Sequence, residues 1–354
     1  MASTRHGIDI RRYIVDHVDD HPDDITNIVS NAFKITPQAA RNQLLALVKD
    51  GTLEATGNTR ARRYSLKPIA KFEQLLDPRL CAEHIVWREY VAPHLEGVRR
   101  NVVDLLSLAA CEMMNNVIDH SGSSLMRLSL LRTPTMITVT ICDSGVGVFR
   151  KVQQAFNLID ERSAILELSK GKLTTAPQEH SGYGIFFSSR MVDIFRMASG
   201  TLFFTHSQDH GDWLIGTGEE FDGTYVSMTV ATDNKSTPKS VYDQFCGDPN
   251  SEVDFGFHRT HVPLQLAQFG NESLVSRSQA KMVLARFDRF SEVMLDFRGV
   301  EFAGQGFLDE IFRVFKLQHP DVSIVAINAN RQIQQMIRFA QSPDRVRQKE
   351  FPFE

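Results

Sequence analysis

Asp143-Ser144-Gly145-Val146-Gly147 closes a run of alternating apolar residues, Met136 to Cys142, and its reading decides the rest of the chain. The alternation predicts a strand, so the pentapeptide places a carboxylate at a strand end with two glycines after it. Such a carboxylate can accept a hydrogen bond from an adenine amino group, and Gly145 and Gly147 let the backbone approach a flat base closely. Met126–Leu131 and the turn Thr133-Pro134-Thr135 complete a predicted hairpin on its upstream side. Further upstream, Asn101 to His120 carries Leu105, Leu108, Ala109, Met113 and Val117 at helical spacing, which predicts one core-facing side. Glu112, Asn116 and Asp119 follow at i, i+4 and i+7 on an adjacent stripe. Two carboxylates and an amide on a half-buried helix are costly unless they meet a cation, water or ligand. Hard oxygen groups of this kind suit Mg²⁺ bridged to substrate phosphates. Alone the triplet is no more than a solvated helix face; its neighbours in sequence give it weight.

Downstream, residues 171–181 (GKLTTAPQEHS) have the polar and glycine content of a lid. Ser181-Gly182-Tyr183-Gly184 then opens an apolar segment, IFFSSRMVDIF, read as a helix whose N-terminus forms a phosphate cradle. Gly223-Thr224 begins the strand YVSMTV with a hydroxyl able to reach the base through water. No G-x-x-x-x-G-K-[ST] is present and neither glycine pair completes G-x-G-x-x-G, which excludes a P-loop and disfavours a dinucleotide fold.

The chain has 354 residues, 42% hydrophobic and 23% charged, with net charge -4, enough for two or three domains of ordinary character. Nucleic-acid contact would therefore need a local basic patch. The start MASTRHGIDIRR has no apolar signal core and no run approaches a membrane span, so a cytoplasmic protein without membrane contact is expected. Cys81, Cys111, Cys142 and Cys246 show no C-x-x-C spacing and read as reduced thiols.

Residues 1–67 contain two short helical patterns, the second with Asp24 as a candidate cap. A third starts at Thr36-Pro37 and stops at Gly51, and a hairpin follows around Gly57-Asn58. This is the pattern of a winged helix-turn-helix. From Lys34 to Lys67 there are seven basic residues against two acidic, whereas residues 1–33 hold three against six. The positive charge thus falls on the third helix and wing, where phosphates lie in this docking geometry. Gln38, Arg41 and Asn42 on the helix and Arg60, Arg62 and Arg63 on the wing are the candidate contacts to double-stranded DNA. Residues 68–98 read as a helical connector, 99–232 as the nucleotide segment, TDNKSTPKS (232–240) as a boundary, 241–345 as alternating strand and helix, and 346–354 as a tail. The expected elements of that last segment are strands near 252–258, 292–297 and 322–326 and helices near 276–289, 306–317 and 330–340.

In this order, Glu112/Asn116/Asp119, Asp143/Gly145/Gly147, Gly182/Gly184 and Gly223/Thr224 resemble the motifs of the GHKL ATPase superfamily, which includes gyrase B, MutL, histidine kinases and anti-sigma-factor kinases. The resemblance covers residues 101–231. It implies ATP as ligand, Asn116 on Mg²⁺, Asp143 on adenine, the glycines, with Ser181 and Tyr183 beside them, on base and phosphates, and Glu112 as the water-activating base of hydrolysing members. Asp119 matches the gyrase-like branch, while His120 matches the anti-sigma kinase branch. Val293 to Glu310 resembles the strand–loop–helix of STAS-like domains, but the loop Phe302-Ala303-Gly304-Gln305-Gly306-Phe307 lacks the hydroxyl that accepts phosphate in anti-sigma-factor antagonists. Asp309 and Glu310 read as first-turn charges, and Asp296 with Arg298 as a local ion pair or partner contact.

The expected architecture is multidomain: a winged helix (α+β), a GHKL α/β sandwich with helices on one face of a mixed sheet, and a STAS-like α/β domain. The expected function is an ATP-responsive DNA-binding regulator; the alternatives are a serine or histidine protein kinase, with His84 as candidate acceptor, and a plain ATPase. A homodimer and a protein partner for the STAS-like domain complete the expectations.

Overall fold

Three helices and a hairpin open the chain: α1 (Ala2–His17), α2 (Ile25–Phe33), α3 (Pro37–Lys49), β1 (Leu53–Thr56) and β2 (Arg63–Leu66). The computed structural model describes residues 2–58, 62–173, 182–207, 211–246, 257–268 and 272–342. Thr36 Oγ1 accepts from the Ala39 amide at 3.2 Å, Pro37 occupies the first helical position, and Gly51 follows the helix at φ 83°, so α3 has both its start and its stop in the sequence. Ile14, Val29, Leu44 and Leu53 are buried together in a core that belongs to this unit alone. Two details differ from expectation. Asp24 makes no cap bond and sits 3.2 Å from His21 Nδ1 instead. The hairpin closes at Thr56 opposite Arg63, so its loop is longer than a Gly57-Asn58 turn.

Residues 68–98 are not simply helical. β3 (Ala70–Leu76) is the edge strand of a five-stranded sheet, and only then come α4 (Glu83–Val86) and the helical turns through Leu95. α5 (Arg100–Asn116) ends in a wider π-turn, Val117–Ser121. β4 (Met126–Arg132), β5 (Met136–Asp143), α6 (Val148–Phe156), α7 (Glu161–Lys170), α8 (Gly184–Met191), β6 (Ile194–Ser207) and β7 (Gly211–Ala231) complete the layer. The strand order is β3-β4-β5-β7-β6 with antiparallel pairings throughout, and the parallel ladder of the molecule lies further on. Buried residues alternate along β4 (Met126, Leu128, Leu130) and β5 (Ile137, Val139, Ile141), giving the sheet one face for its helices. Leu108, expected in the core, is 41% exposed. The helix expected through Phe195 stops at Met191, and the remaining apolar residues enter β6.

After α9 (Pro238–Tyr242) the C-terminal segment builds a parallel sheet from β8 (Arg259–Pro263), β9 (Glu292–Asp296) and β10 (Ser323–Ile327), in the order β10-β9-β8. Its helices are α10 (Arg277–Leu284), α11 (Gln305–Asp309), which continues through a π-stretch into α12 (Lys316–Gln318), and α13 (Arg331–Gln341). A strand expected at 252–258 falls almost wholly outside the described residues; the strand present begins at Arg259. Asp309 and Glu310 are not solvated first-turn charges: Asp309 is buried and takes Arg313 Nε and Nη2 at 2.6 Å each. Asp296 pairs not with the Arg298 guanidinium but with its amide, His261 Nε2 and Asn328 Nδ2.

The boundary expected near 232–240 does not divide the apolar interior. One core runs from Val86 to Ala340. At the junction Phe186 meets Phe257 at 4.7 Å and Phe245 at 5.0 Å between ring centroids, and Phe187 meets Tyr242 at 4.5 Å. Among the described residues no helix is long and apolar enough to cross a membrane.

Candidate functional site

Asp143 is the last residue of β5, opposite Thr224 on β7, and is buried. Its Oδ1 accepts from the Gly145 amide at 2.7 Å, while the Val146 amide donates to the Ser121 carbonyl and the Val148 amide to Thr224 Oγ1. These bonds turn the chain tightly out of the sheet and into α6. The glycines are sterically required there. A Cβ on Gly145 would overlap the Ser121 carbonyl, one on Gly223 would overlap the Asp143 carbonyl, and one on Gly147 would lie 2.5 Å from Ser199 Oγ. Burial raises the Asp143 carboxyl above the ordinary carboxylate range, opposed by the hydrogen bonds from Gly145 and Thr224.

Across the cavity, Glu112 and Asn116 come from the last turns of α5 and Gly184 from the first turn of α8. A Cβ on Gly184 would sit 2.5 Å from Glu112 Oε2, so the carboxylate rests against the start of that helix. Gly182 has φ 75°, and its carbonyl accepts from the Leu173 amide at 3.1 Å. Asn116 Nδ2 has the Met113 thioether at 3.9 Å, a weak contact that a better acceptor can replace.

Between these two groups lies a cavity of about 270 Å³. Of the residues singled out in the sequence, Glu112, Asn116, His120, Asp143, Gly147, Gly182, Gly184 and Thr224 line it. Gly145 stands behind Asp143 as its brace. Asp119 is exposed and outside the lining. The cause is the π-turn after Asn116, whose wider spacing brings His120 rather than Asp119 beneath it. Tyr183 packs on Phe257 at 5.4 Å instead of facing the cavity, and Ser181 lies outside the described residues. Ile141, Val152, Phe156, Met197 and Val226 supply an apolar lining suited to a flat ring.

Lys151 was not singled out. It lines the cavity from α6 and donates from Nζ to the His120 carbonyl at 2.7 Å; burial lowers its pKa and Asp119 opposes that. Its signal was the helical spacing of Val148, Lys151 and Val152 directly after Gly147.

The donor set fits a nucleotide with a hard cation. A buried carboxylate and a glycine-walled turn stand at one end, an amide and a helix start at the other. Among the described residues no group of three or more His, Cys, Asp or Glu is gathered to hold a metal alone. A Mg²⁺ ion here would take Asn116 together with phosphate oxygens and water.

In the N-terminal unit Gln38, Arg41 and Asn42 are exposed on α3, with Gln38 Nε2 donating to Asn42 Oδ1 at 3.2 Å. Arg62 lies over the Tyr64 ring at 5.5 Å, and Arg63 Nε pairs with Asp23 at 3.0 Å. Arg60 lies outside the described residues. His84, on α4, sits 3.4 Å from Glu83.

Residues 78–202 match the family model of the histidine kinase-like ATPase domain, and residues 279–334 match that of a STAS-like domain of unknown function. No curated protein matches the chain. The chain thus carries a GHKL-type ATPase domain and a STAS-like domain. The first match stops before Thr224, which reaches the site through its pairing with Asp143.

Proposed function

We propose that this chain is an ATP-responsive DNA-binding regulator: ATP with Mg²⁺ occupies the cavity, and its occupancy changes how the N-terminal unit engages double-stranded DNA. The observation that carries the nucleotide half is the convergence of Asp143, Asn116 and the start of α8 on one cavity, within a histidine kinase-like ATPase domain. Asp143 orients the base by accepting its amino hydrogen, and the apolar lining excludes water from the ring faces. The Gly182–Gly184 turn and the N-terminus of α8 receive the phosphates, with Asn116 toward the cation. Mg²⁺, when bound, neutralises phosphate charge. Support for the DNA half is the three-helix and hairpin unit with its own core, whose α3 exposes Gln38, Arg41, Asn42 and Lys49.

Calorimetric titration with ATP and Mg²⁺ should give saturable heat, and Asp143→Asn should weaken affinity about tenfold or more, the worth of a hydrogen bond to a charged group. No heat with folded wild-type protein removes the nucleotide assignment. A gel-shift series with and without ATP tests the DNA assignment, and absence of any shift at low salt removes it. Slow hydrolysis is a second reading, favoured by the Glu112 carboxylate at the start of α8. Glu112→Gln should then abolish phosphate release while sparing binding.

A further inference from the structure

α7 has two sides with different owners. Leu168, with Leu173 just beyond the helix, lines the nucleotide cavity. Glu167, Lys170 and Lys172 are held from the other side by the C-terminal module. Arg286, in the segment that follows α10, donates from Nε to Glu167 Oε2 at 2.6 Å, from Nη2 to the Glu167 carbonyl at 2.9 Å, and from Nη1 to the Lys172 carbonyl at 3.0 Å. Lys170 is fully buried, and its Nζ reaches Glu167 Oε1 at 2.5 Å and the carbonyls of Ala285 and Met282 at 3.1 and 3.4 Å. Lys172 Nζ returns a bond to the Arg289 carbonyl at 2.6 Å.

Arg286 holds the left-handed conformation at φ 64°, where glycine would be freer, so it is the guanidinium fork that suits this position. The chain it grips continues at once into the cavity: Lys172 adjoins Leu173, and the Leu173 amide donates to the Gly182 carbonyl at the phosphate end. Gly182 in turn has no room for a side chain, because the Leu173 backbone lies 2.7 Å from its would-be Cβ. A fork on the C-terminal module and a glycine at the mouth of the site are therefore joined through one short stretch of backbone.

We propose that Arg286 is a positioning residue of the nucleotide site: through Glu167 and Lys172 it fixes Leu173 and Gly182, so that affinity for the phosphate end of the ligand is set by the C-terminal module. This rests on the reading of the cavity as an ATP site. The base end, built on β5 and β7, has no part in the clasp and keeps its affinity when the fork is removed.

The test compares full-length wild type, Arg286→Ala and Arg286→Lys, using calorimetry for ATP with Mg²⁺ and ligand-observed NMR for adenosine. Arg286→Ala should weaken ATP about tenfold while adenosine binding changes less than about twofold, and Arg286→Lys should restore part of the loss. Unchanged ATP affinity in a folded Arg286→Ala protein overturns the proposal, as does equal loss of ATP and adenosine. If Arg286→Ala does not fold, the same ratio measured on Arg286→Lys decides: an unchanged ratio overturns it and a selective loss of ATP supports it. Failure of the wild type to bind ATP would instead break the underlying site reading, so the two failures are distinguishable.

Discussion

The N-terminal helices and hairpin keep a core to themselves, while the nucleotide segment and the STAS-like segment share one. The polar stretch near 232–240 looks like a domain boundary in sequence, yet the aromatic rings of α8 pack directly on Phe245 and Phe257 beyond it. A linker shows where the chain is solvated; only packing shows where cooperativity ends.

The largest test of that contrast is Phe186→Ala. Phe186 is buried at the junction, so its loss should cost about 3–5 kcal/mol and lower the melting of the nucleotide and C-terminal segments together. Leu44→Ala should cost about 2–5 kcal/mol but only in the N-terminal unit, leaving ATP titrations unchanged. Differential scanning calorimetry with nucleotide added checks both; separate shifts of the two larger segments after Phe186→Ala would break the single-core description.

A middle-sized effect concerns pH. Ionised Asp143 accepts a ligand N–H more strongly than the neutral acid does, and its pKa is raised by burial, so affinity should fall as pH drops through a value above the usual carboxylate range. The sign for stability is opposite. A raised folded pKa favours the protonated fold, a contribution present at low pH and lost as pH rises through that folded value. Nucleotide titrations and urea melts over the same acidic pH range should therefore diverge, with affinity lost about tenfold at a pH where Asp143 itself does not weaken the fold. Parallel loss of both would point to another group.

The smallest expected effect is at the hairpin. Replacing Arg62 and Arg63 by Ala should reduce the salt slope of DNA binding by about 1–2 and leave ATP affinity alone, as measured by gel shifts across a salt series. An unchanged slope would separate these arginines from any phosphate contact; Arg63 already has Asp23 as a partner.

Much of the site was legible because its demands are local. Asp143, Gly145 and Gly147 are adjacent, and the steric requirement for glycine leaves its mark in the sequence. The caps of α3 were readable for the same reason. β3 was not: AKFEQLL has the composition of a helix, and its strand form comes from pairing with β4, whose partners lie fifty or more residues away. The displacement of Asp119 depends on a π-turn that no local residue announces. The burial of Lys170 depends on carbonyls of Met282 and Ala285, which only the tertiary fold brings near. Of the lid expected over 171–181, residues 174–181 lie outside the described residues.

The Lys67 amide donates to the Thr52 carbonyl inside the first unit, and the Ile69 amide donates to the Arg132 carbonyl at the margin of the large sheet. Pro68 alone separates those two anchors, and its ring fixes φ. The joint between these two anchors is consequently a single residue long. Torque applied to the leading helices would load β3, and through β4 the strand that ends in Asp143.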